Sequence, residues 1–252
     1  MPPEKSERAS VPEVKRALVT GGSGGIGRAI CARLARDGHH VYVHAHQSVE
    51  AAKAVVEEIV GGGGRAQAVA FDVTDAGSTH AALTQILSEG PIQILVNNAG
   101  MHDDAVFPGM SPEQWHGVID TSVHGFFNVT QPLLMPMIRT RWGRIVNTSS
   151  VSALLGNRGQ VNYAAAKGAL NGATRSLALE VAGRGITVNA IAPGIIATTM
   201  SANAFDEAAI ERLVPMKRAG LPAEVAGLVS YLVSDDAGYV TAQVISISGG
   251  MA

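Results

Sequence analysis

Short apolar runs alternate along this chain with longer stretches in which apolar residues recur every three or four positions. Seven runs have strand character: Arg16–Thr20, His40–His44, Ala66–Phe71, Ile92–Val96, Arg144–Thr148, Ile186–Ile191 and Val244–Ile247. They are short, and most are dominated by Val, Ile, Leu and Ala, the pattern of strands buried on both faces. Between them, Arg28–Arg36, Val49–Val60 and residues 76–88 repeat at helical spacing. A long helix opens at Ser111-Pro112-Glu113, with a serine N-cap and proline in its first turn, and runs to about Met137. Another begins near Gln160, and the last spans Pro222 to about Ser234. Gly61 to Gly64 close the second helix by supplying residues free to take positive φ. Strands alternating with helices throughout predict a doubly wound, seven-stranded parallel sheet with helices on both faces.

The length of 252 residues suits one sizeable domain. Residues 15–252 are expected to form it, after a Pro-rich, charged and aperiodic tail at 1–14. Apolar residues make up 46% and aromatic residues only 4%, so the core must be built from Ala, Val, Ile and Leu. A formal net charge of −2 makes no electrostatic case for a nucleic-acid or membrane surface. Cys31 is the only cysteine, so neither an intrachain disulfide nor a cysteine metal site is possible. No apolar run reaches the ~18 residues that a bilayer span needs, and the N-terminus lacks a signal peptide's hydrophobic stretch; a cytoplasmic home is expected.

The chemistry centres on Ser150 to Lys167. In a helix from about residue 160, Tyr163 and Lys167 stand four apart and project from one face. A fixed positive charge beside the phenol favours phenolate and pulls its pKa down from ~10, which suits a general acid for an alkoxide. Ser150, just beyond the fifth strand, supplies a hydroxyl able to hold a carbonyl oxygen beside that phenol. A second signal is Gly21-Gly22-Ser23-Gly24-Gly25-Ile26-Gly27, set between the first strand and the first helix. In that arrangement backbone N–H groups and the helix dipole receive a pyrophosphate. Two registers fit: Gly22-x-Gly24-x-x-Gly27 has the ordinary dinucleotide spacing, and Thr20-Gly21-x-x-x-Gly25-x-Gly27 a longer one.

The second strand ends in His44-Ala45-His46-Gln47-Ser48, without the carboxylate that holds a free ribose 2′-hydroxyl. With His46, Gln47 and Ser48 as donors, NADPH is favoured; the alternative is that these histidines are plain surface residues at a strand end. Asp72-Val73 follows the third strand, where a carboxylate can meet an adenine amino group. Asn97-Asn98-Ala99-Gly100 follows the fourth, at the edge where open α/β sheets bind ligands, although paired asparagines also serve as turn residues. Residues Thr199 to about Lys217 are polar and Ala-rich, and predict a loop with short helices that suits a substrate lid. Ala164, Ala165, Ala166, Gly168, Ala169, Gly172 and Ala173 leave one helix with few large side chains. With the long helix before it, that predicts a subunit interface about a two-fold axis.

In order, the glycine loop, Asn97-Asn98-Ala99-Gly100, Ser150, Tyr163/Lys167 and Pro193-Gly194 resemble the short-chain dehydrogenase/reductase family, over nearly everything from residue 15 to 250. The resemblance implies a Rossmann-type domain in which Thr20, Gly21, Ser23, Gly24, Gly25, Ile26 and Gly27 form the cofactor loop. It further implies that Asp72 and Val73 flank adenine and that Asn98, Ala99 and Gly100 lie beside the cofactor. Pro193, Gly194, Ile196 and Thr198 would stand at the nicotinamide end. Tyr163 would be the proton donor and Ser150 would orient the substrate. Lys167 would both lower the tyrosine pKa and hold the nicotinamide ribose. Hydride comes from the cofactor, so no metal is required.

Within that family, Gly159–Lys167 and Pro193–Met200 are similar to the β-ketoacyl-acyl-carrier-protein reductases. This implies NADPH-dependent reduction of a 3-oxoacyl thioester on acyl carrier protein, in fatty-acid or polyketide/polyene-type elongation, by a homotetramer. Arg141 and Arg184 become candidates for docking the acidic carrier. A different substrate, such as a sugar or steroid, is the alternative enzyme reading, and a non-catalytic cofactor-binding protein the alternative from another class. Three departures stand out: Gly24 where many NADPH enzymes of this kind carry Arg, Ser248 where an acidic residue or Asn is common, and Ser122 where a catalytic Asn is usual. That Asn helps hold a water near the lysine; Ser122, with one donor and two acceptor lone pairs, is expected to substitute for it.

Overall fold

The structure is a computed structural model that describes residues 14–46, 48–198 and 206–252. Residues 1–13 of the expected tail, Gln47 and residues 199–205 of the expected lid lie outside them. Strands β1 (Arg16–Val19), β2 (His40–Ala45), β3 (Arg65–Ala70), β4 (Ile94–Asn97), β5 (Gly143–Thr148), β6 (Ile186–Pro193) and β7 (Val244–Ile247) form one parallel sheet, in the order 3-2-1-4-5-6-7. The described helices are α1 (Gly25–Arg36), α2 (Val49–Gly61), α3 (Ala76–Ser88), α4 (Pro112–Ile119), α5 (Gly125–Thr140), α6 (Ser152–Leu155), α7 (Val161–Val181), α8 (Glu207–Leu213) and α9 (Pro222–Val233).

Strand alternation sorts the core into two layers. Ala17 and Val19 point to one face, where α1, α2 and α9 supply Ile30, Leu34, Val55 and Val229. Leu18 points to the other, where α3, α5 and α7 supply Leu83, Leu133, Met137 and Ala178. Both faces are covered, which is why the central strands read as continuous apolar runs. None of the described helices is long and apolar enough to cross a membrane.

The long helix expected from Ser111 to Met137 is interrupted. The N-cap expected at Ser111 forms, and Gln114 completes a capping box with it, but residues Asp120–His124 make a π-helical turn between α4 and α5. There the Gly125 N–H reaches back five residues to Asp120 O, and the Thr121 hydroxyl competes for Gly117 O at 2.8 Å. Gly125 packs so closely on Val73, three residues beyond β3, that a methyl group would come 3.0 Å from Val73 Cγ2. The helix is therefore drawn onto the sheet edge at the cost of one extra residue in the turn. Such turns are often found at functional sites, and this one holds Ser122.

Candidate active site

The strand order reverses between β1 and β4, so a crevice opens at their carboxyl ends. Thr20 and Asn98 lock its floor. Thr20 Oγ1 accepts the backbone N–H groups of Asn98 and Ala99 at 2.9 Å, and Asn98 Nδ2 donates to Thr20 O and Gly21 O at 3.0 and 3.1 Å. The Asn98 amide is thus used to shape the loop. A methyl group at Gly27 would sit 2.1 Å from Gly21 O and one at Gly25 2.9 Å from Thr198 Cγ2, whereas at Gly24 nothing lies closer than 3.5 Å. Gly21 also takes φ +62°. Every glycine of the longer spacing, Gly21, Gly25 and Gly27, is therefore held to glycine by close packing or positive φ; of the shorter one, Gly22, whose added methyl would meet Cys31 Sγ at 2.9 Å, and Gly27 are, while Gly24 is free.

Helix α1 starts at this loop with Gly24 as N-cap, without a side-chain cap and without an acidic residue in its first turn. Helices α2, α3 and α4 are capped by Ser48, Asp75 and Ser111. Among the described residues the first N–H groups of α1 are left over, at the positive end of the helix dipole, an environment suited to phosphate.

The strand-end histidines, alike in the sequence, separate in the structure. His44 is 1% exposed, not a surface residue. Its Nδ1 accepts the Gly21 N–H at 3.0 Å and its Nε2 lies 2.9 Å from Phe71 O. Burial lowers its pKa to about 4. His46 is exposed, and its Nε2 lies 3.7 Å from Asp72 Oδ2. The other oxygen of Asp72 accepts the backbone N–H and the hydroxyl of Thr74, both at 2.8 Å. Burial pushes the Asp72 pKa up, but these two bonds and the histidines bring it below the ordinary value. The expectation that no carboxylate approaches the end of β2 is therefore corrected. Asp72 approaches from beyond the neighbouring strand, which the spacing in sequence conceals. Ser48, also expected to be a phosphate donor, accepts the Ala51 N–H as the cap of α2.

Ser150, Tyr163 and Lys167 meet at the carboxyl end of β5. Ser150 Oγ accepts the Ser152 N–H at 3.1 Å, and its hydroxyl is hydrogen-bonded to the Tyr163 phenol. Lys167, one turn along α7, is 3% exposed. Its Nζ donates to Thr148 O at 2.8 Å and lies 5.6 Å from the centre of the Tyr163 ring. Burial pushes its pKa down to about 8. Tyr163 departs from the sequence expectation, because its pKa is raised. Burial is the main cause, the bond to Ser150 opposes it, and the Asp104 charge adds to it. The four-residue spacing fixes the helix face but not the end of the side chain; the lysine stem carries the ammonium to a backbone carbonyl. Ser122 Oγ is buried and has no hydrogen-bond partner among the described residues. It lines a cavity of about 10 Å³ with Thr20, Asn97, Thr121 and Leu170, room for about one water.

The profile of the family described as short chain dehydrogenase matches residues 15–209. The chain belongs to the short chain dehydrogenase family. Among its relatives, 3-oxoacyl-[acyl-carrier-protein] reductase FabG of Staphylococcus aureus is 44% identical over 240 residues, 94% of this chain and 98% of that protein. The reductase of the same name from Aggregatibacter actinomycetemcomitans is 43% identical over 236 residues, 93% of this chain and 98% of that one. Nodulation protein G of Azospirillum brasilense is 45% identical over 240 residues, with 94% and 98% covered. Membership in the short chain dehydrogenase family implies a nicotinamide cofactor. The uncapped start of α1 and the tight glycine loop fit the phosphates of such a group.

On this short chain dehydrogenase scaffold, the segment leaving β6 closes over the loop. Pro193 O accepts the Val151 N–H and Gly194 N–H donates to Ile247 O, each at 3.0 Å. Ile196 bridges to Gly220, and Thr198 reaches Gly25. Arg141 and Arg184 lie elsewhere. They precede β5 and β6, at the amino edge of the sheet, where Arg141 Nη2 donates to Gly183 O at 3.3 Å. Asn97, already singled out with Asn98, gathers partners that the sequence did not single out. Asn97 Nδ2 donates to Thr130 Oγ1 and Asn147 Oδ1 at 3.0 and 2.8 Å, and Asn147 Nδ2 to Thr174 Oγ1 at 2.8 Å. An asparagine inside the apolar run of β5 was the available signal. Gln160 bridges Ser152 Oγ at 2.9 Å and Asp104 Oδ2 at 2.8 Å, clipping the 101–106 loop to the start of α7.

Proposed function

We propose that this chain reduces a 3-oxoacyl thioester on acyl carrier protein to the 3-hydroxyacyl thioester, with NADPH as reductant, in fatty-acid or polyketide/polyene-type elongation. The observation that carries this reading is 43–44% identity, over more than nine-tenths of both chains, to reductases named for that reaction. The nicotinamide, when bound, supplies hydride to the carbonyl carbon. The protein's own groups do the rest. Ser23, Gly24, Gly25 and Ile26, at the uncapped start of α1, would receive the pyrophosphate. Asp72 and Val73 would flank adenine. Ala99, Gly100, Pro193, Gly194, Ile196 and Thr198 would line the nicotinamide half, and Lys167 would hold its ribose.

Tyr163 donates its phenolic proton to the carbonyl oxygen, which the Ser150 hydroxyl holds. A raised pKa suits this direction, since the phenol stays protonated at neutral pH. Lys167 lies within reach to stabilise the phenolate left behind. Ser122, facing a cavity of water size, would hold the water through which the proton is replaced. NADPH rather than NADH rests on His46 and on the lack of Asp or Glu at the end of β2. With Asp72 offsetting His46, the preference should be modest.

Exposed Phe127 and Met135 on α5, exposed Leu179 on α7, and open space at Gly168 and Gly172 support a homotetramer built on these helices. Arg141 and Arg184 would then dock the carrier beside a neighbouring subunit's crevice. Their own lies a strand length away, roughly 25 Å for the eight residues of β6. The test is the rate of NADPH and NADH oxidation with carrier-bound 3-oxoacyl substrates of several lengths, beside a panel of sugars and steroids. Turnover confined to the panel would overturn the substrate, and higher kcat/KM with NADH would overturn the cofactor.

A further inference from the structure

We infer that His44 is a positioning residue for the cofactor loop, locked in one neutral tautomer and connecting the glycine loop to the end of β3. The inference rests on the proposed use of that loop for the cofactor. Its basis is a complete set of bonds around a buried ring. The Gly21 N–H can only donate, so the Nδ1 it meets at 3.0 Å must be unprotonated. The ring hydrogen is then on Nε2 and donates to Phe71 O at 2.9 Å. The ring lies against Phe71, with centroids 4.1 Å apart. The backbone carbonyl of His44 also accepts the Gly22 N–H at 2.8 Å. One residue therefore holds two consecutive N–H groups of the loop.

Two consequences follow for the site. The Gly21 N–H is already spent inside the protein, so Gly21 serves the loop by its conformation and not as a phosphate donor. The link through Phe71 O also runs to the residue before Asp72, so His44 connects the pyrophosphate end of the crevice to its proposed adenine end. The charged groups that act on the ring are His46 on the same strand and Asp72 beyond Phe71, and they act in opposite directions. Neither donates to or accepts from it among the described residues. Burial is what keeps the imidazole neutral.

The test uses two substitutions that each keep half of the link. In His44→Asn the side-chain oxygen takes the place of Nδ1, and the Gly21 N–H keeps an acceptor. In His44→Gln the amide nitrogen takes the place of Nε2, and only the bond to Phe71 O survives. Leaving the Gly21 N–H without a partner should raise the dissociation constant for NADPH roughly tenfold or more in His44→Gln. In His44→Asn it should rise less than about threefold, one neutral bond to Phe71 being lost. In both, kcat should fall by less than the dissociation constant rises. Equal weakening by the two substitutions would overturn the inference and reduce His44 to packing. A second measurement needs no cofactor: nitrogen chemical shifts of His44 in the ligand-free wild-type protein should show hydrogen on Nε2 only, from neutral pH down to about pH 5. Hydrogen on Nδ1, or titration near pH 6.5, would overturn it. If the wild-type chain binds no nicotinamide cofactor, the proposed function fails, and the tautomer still decides the link.

Discussion

Two buried cations sit at opposite ends of β5, and the protein holds them in opposite ways. Arg144, near the amino end, donates to the carbonyls of Gly143, Gly185 and Ser234 at 3.0, 3.4 and 3.3 Å. Its guanidinium lies 4.3 Å from the Trp142 ring centre, and Nη2 is 3.6 Å from Asp235. Lys167, at the carboxyl end, has the Thr148 carbonyl and no carboxylate in ion-pair range among the described residues. Burial lowers both pKa values. A guanidinium stays charged regardless, whereas the lysine comes to about 8, within reach of working pH. Burial alone therefore makes no functional group. A cation surrounded by acceptors is structural, and one given a single acceptor keeps capacity for a reacting partner.

The largest expected effect breaks the carboxyl end. Lys167→Met and Tyr163→Phe should each lower turnover ~10²–10⁴-fold, the range for losing a general acid or its support. Lys167→Met should not lower the thermal midpoint, since removing a buried and poorly paired charge relieves desolvation. Turnover within a few-fold of wild type in both variants would make Lys167 as structural as Arg144. The amino end should behave in reverse. Arg144→Met strands three carbonyls and should cost about 2–4 kcal/mol in denaturant unfolding, with turnover per folded molecule retained. Loss of activity without loss of stability would erase the contrast.

Titration sharpens the comparison. With a folded pKa of about 8 against 10.5 for an ordinary lysine, Lys167 loses its proton in the folded state first. Reduction should therefore slow as pH rises through about 8. Stability behaves oppositely, because between 8 and 10.5 the unfolded chain binds the extra proton; stability relative to Lys167→Met should rise with pH across that window. Activity that holds constant from pH 7 to 10 would place the lysine outside the mechanism. The smallest effect is expected at the π-helical turn. Ser122→Ala should lower kcat severalfold more than it raises KM, while Ser122→Asn keeps the parent's activity. An inactive parent rescued by Ser122→Asn would show a lost proton path and favour a cofactor-binding protein.

Much of the scaffold was legible before any coordinates. Helix 76–88 and the strand Val244–Ile247 match to the residue, and the other strands shift by one or two positions at their ends. The π-helical turn was not legible, because nothing in the apolar spacing of residues 111–137 separates a continuous helix from one with an extra residue packed against Val73. Nor was the rise in the Tyr163 pKa, which depends on burial and on where a flexible lysine ends.

By itself, the sequence determined the order of strands and helices and the faces they bury, because side-chain periodicity is a local property of each segment. It also marked the stretch where the chain packs too closely for side chains, the glycine run that holds Gly21, Gly22, Gly25 and Gly27, while leaving two registers open within it. Only the tertiary structure decided which polar groups meet. Gly21 and His44 are 23 positions apart, Asn98 and Thr20 78, and Arg144 and Ser234 90. Their contacts follow from the 3-2-1-4-5-6-7 order and its register. His44 and His46 show the physical reason. Two identical side chains, two residues apart on one strand, become a buried link and an exposed partner of Asp72, because the environment that sets hydrogen bonding and charge comes from the neighbouring strands.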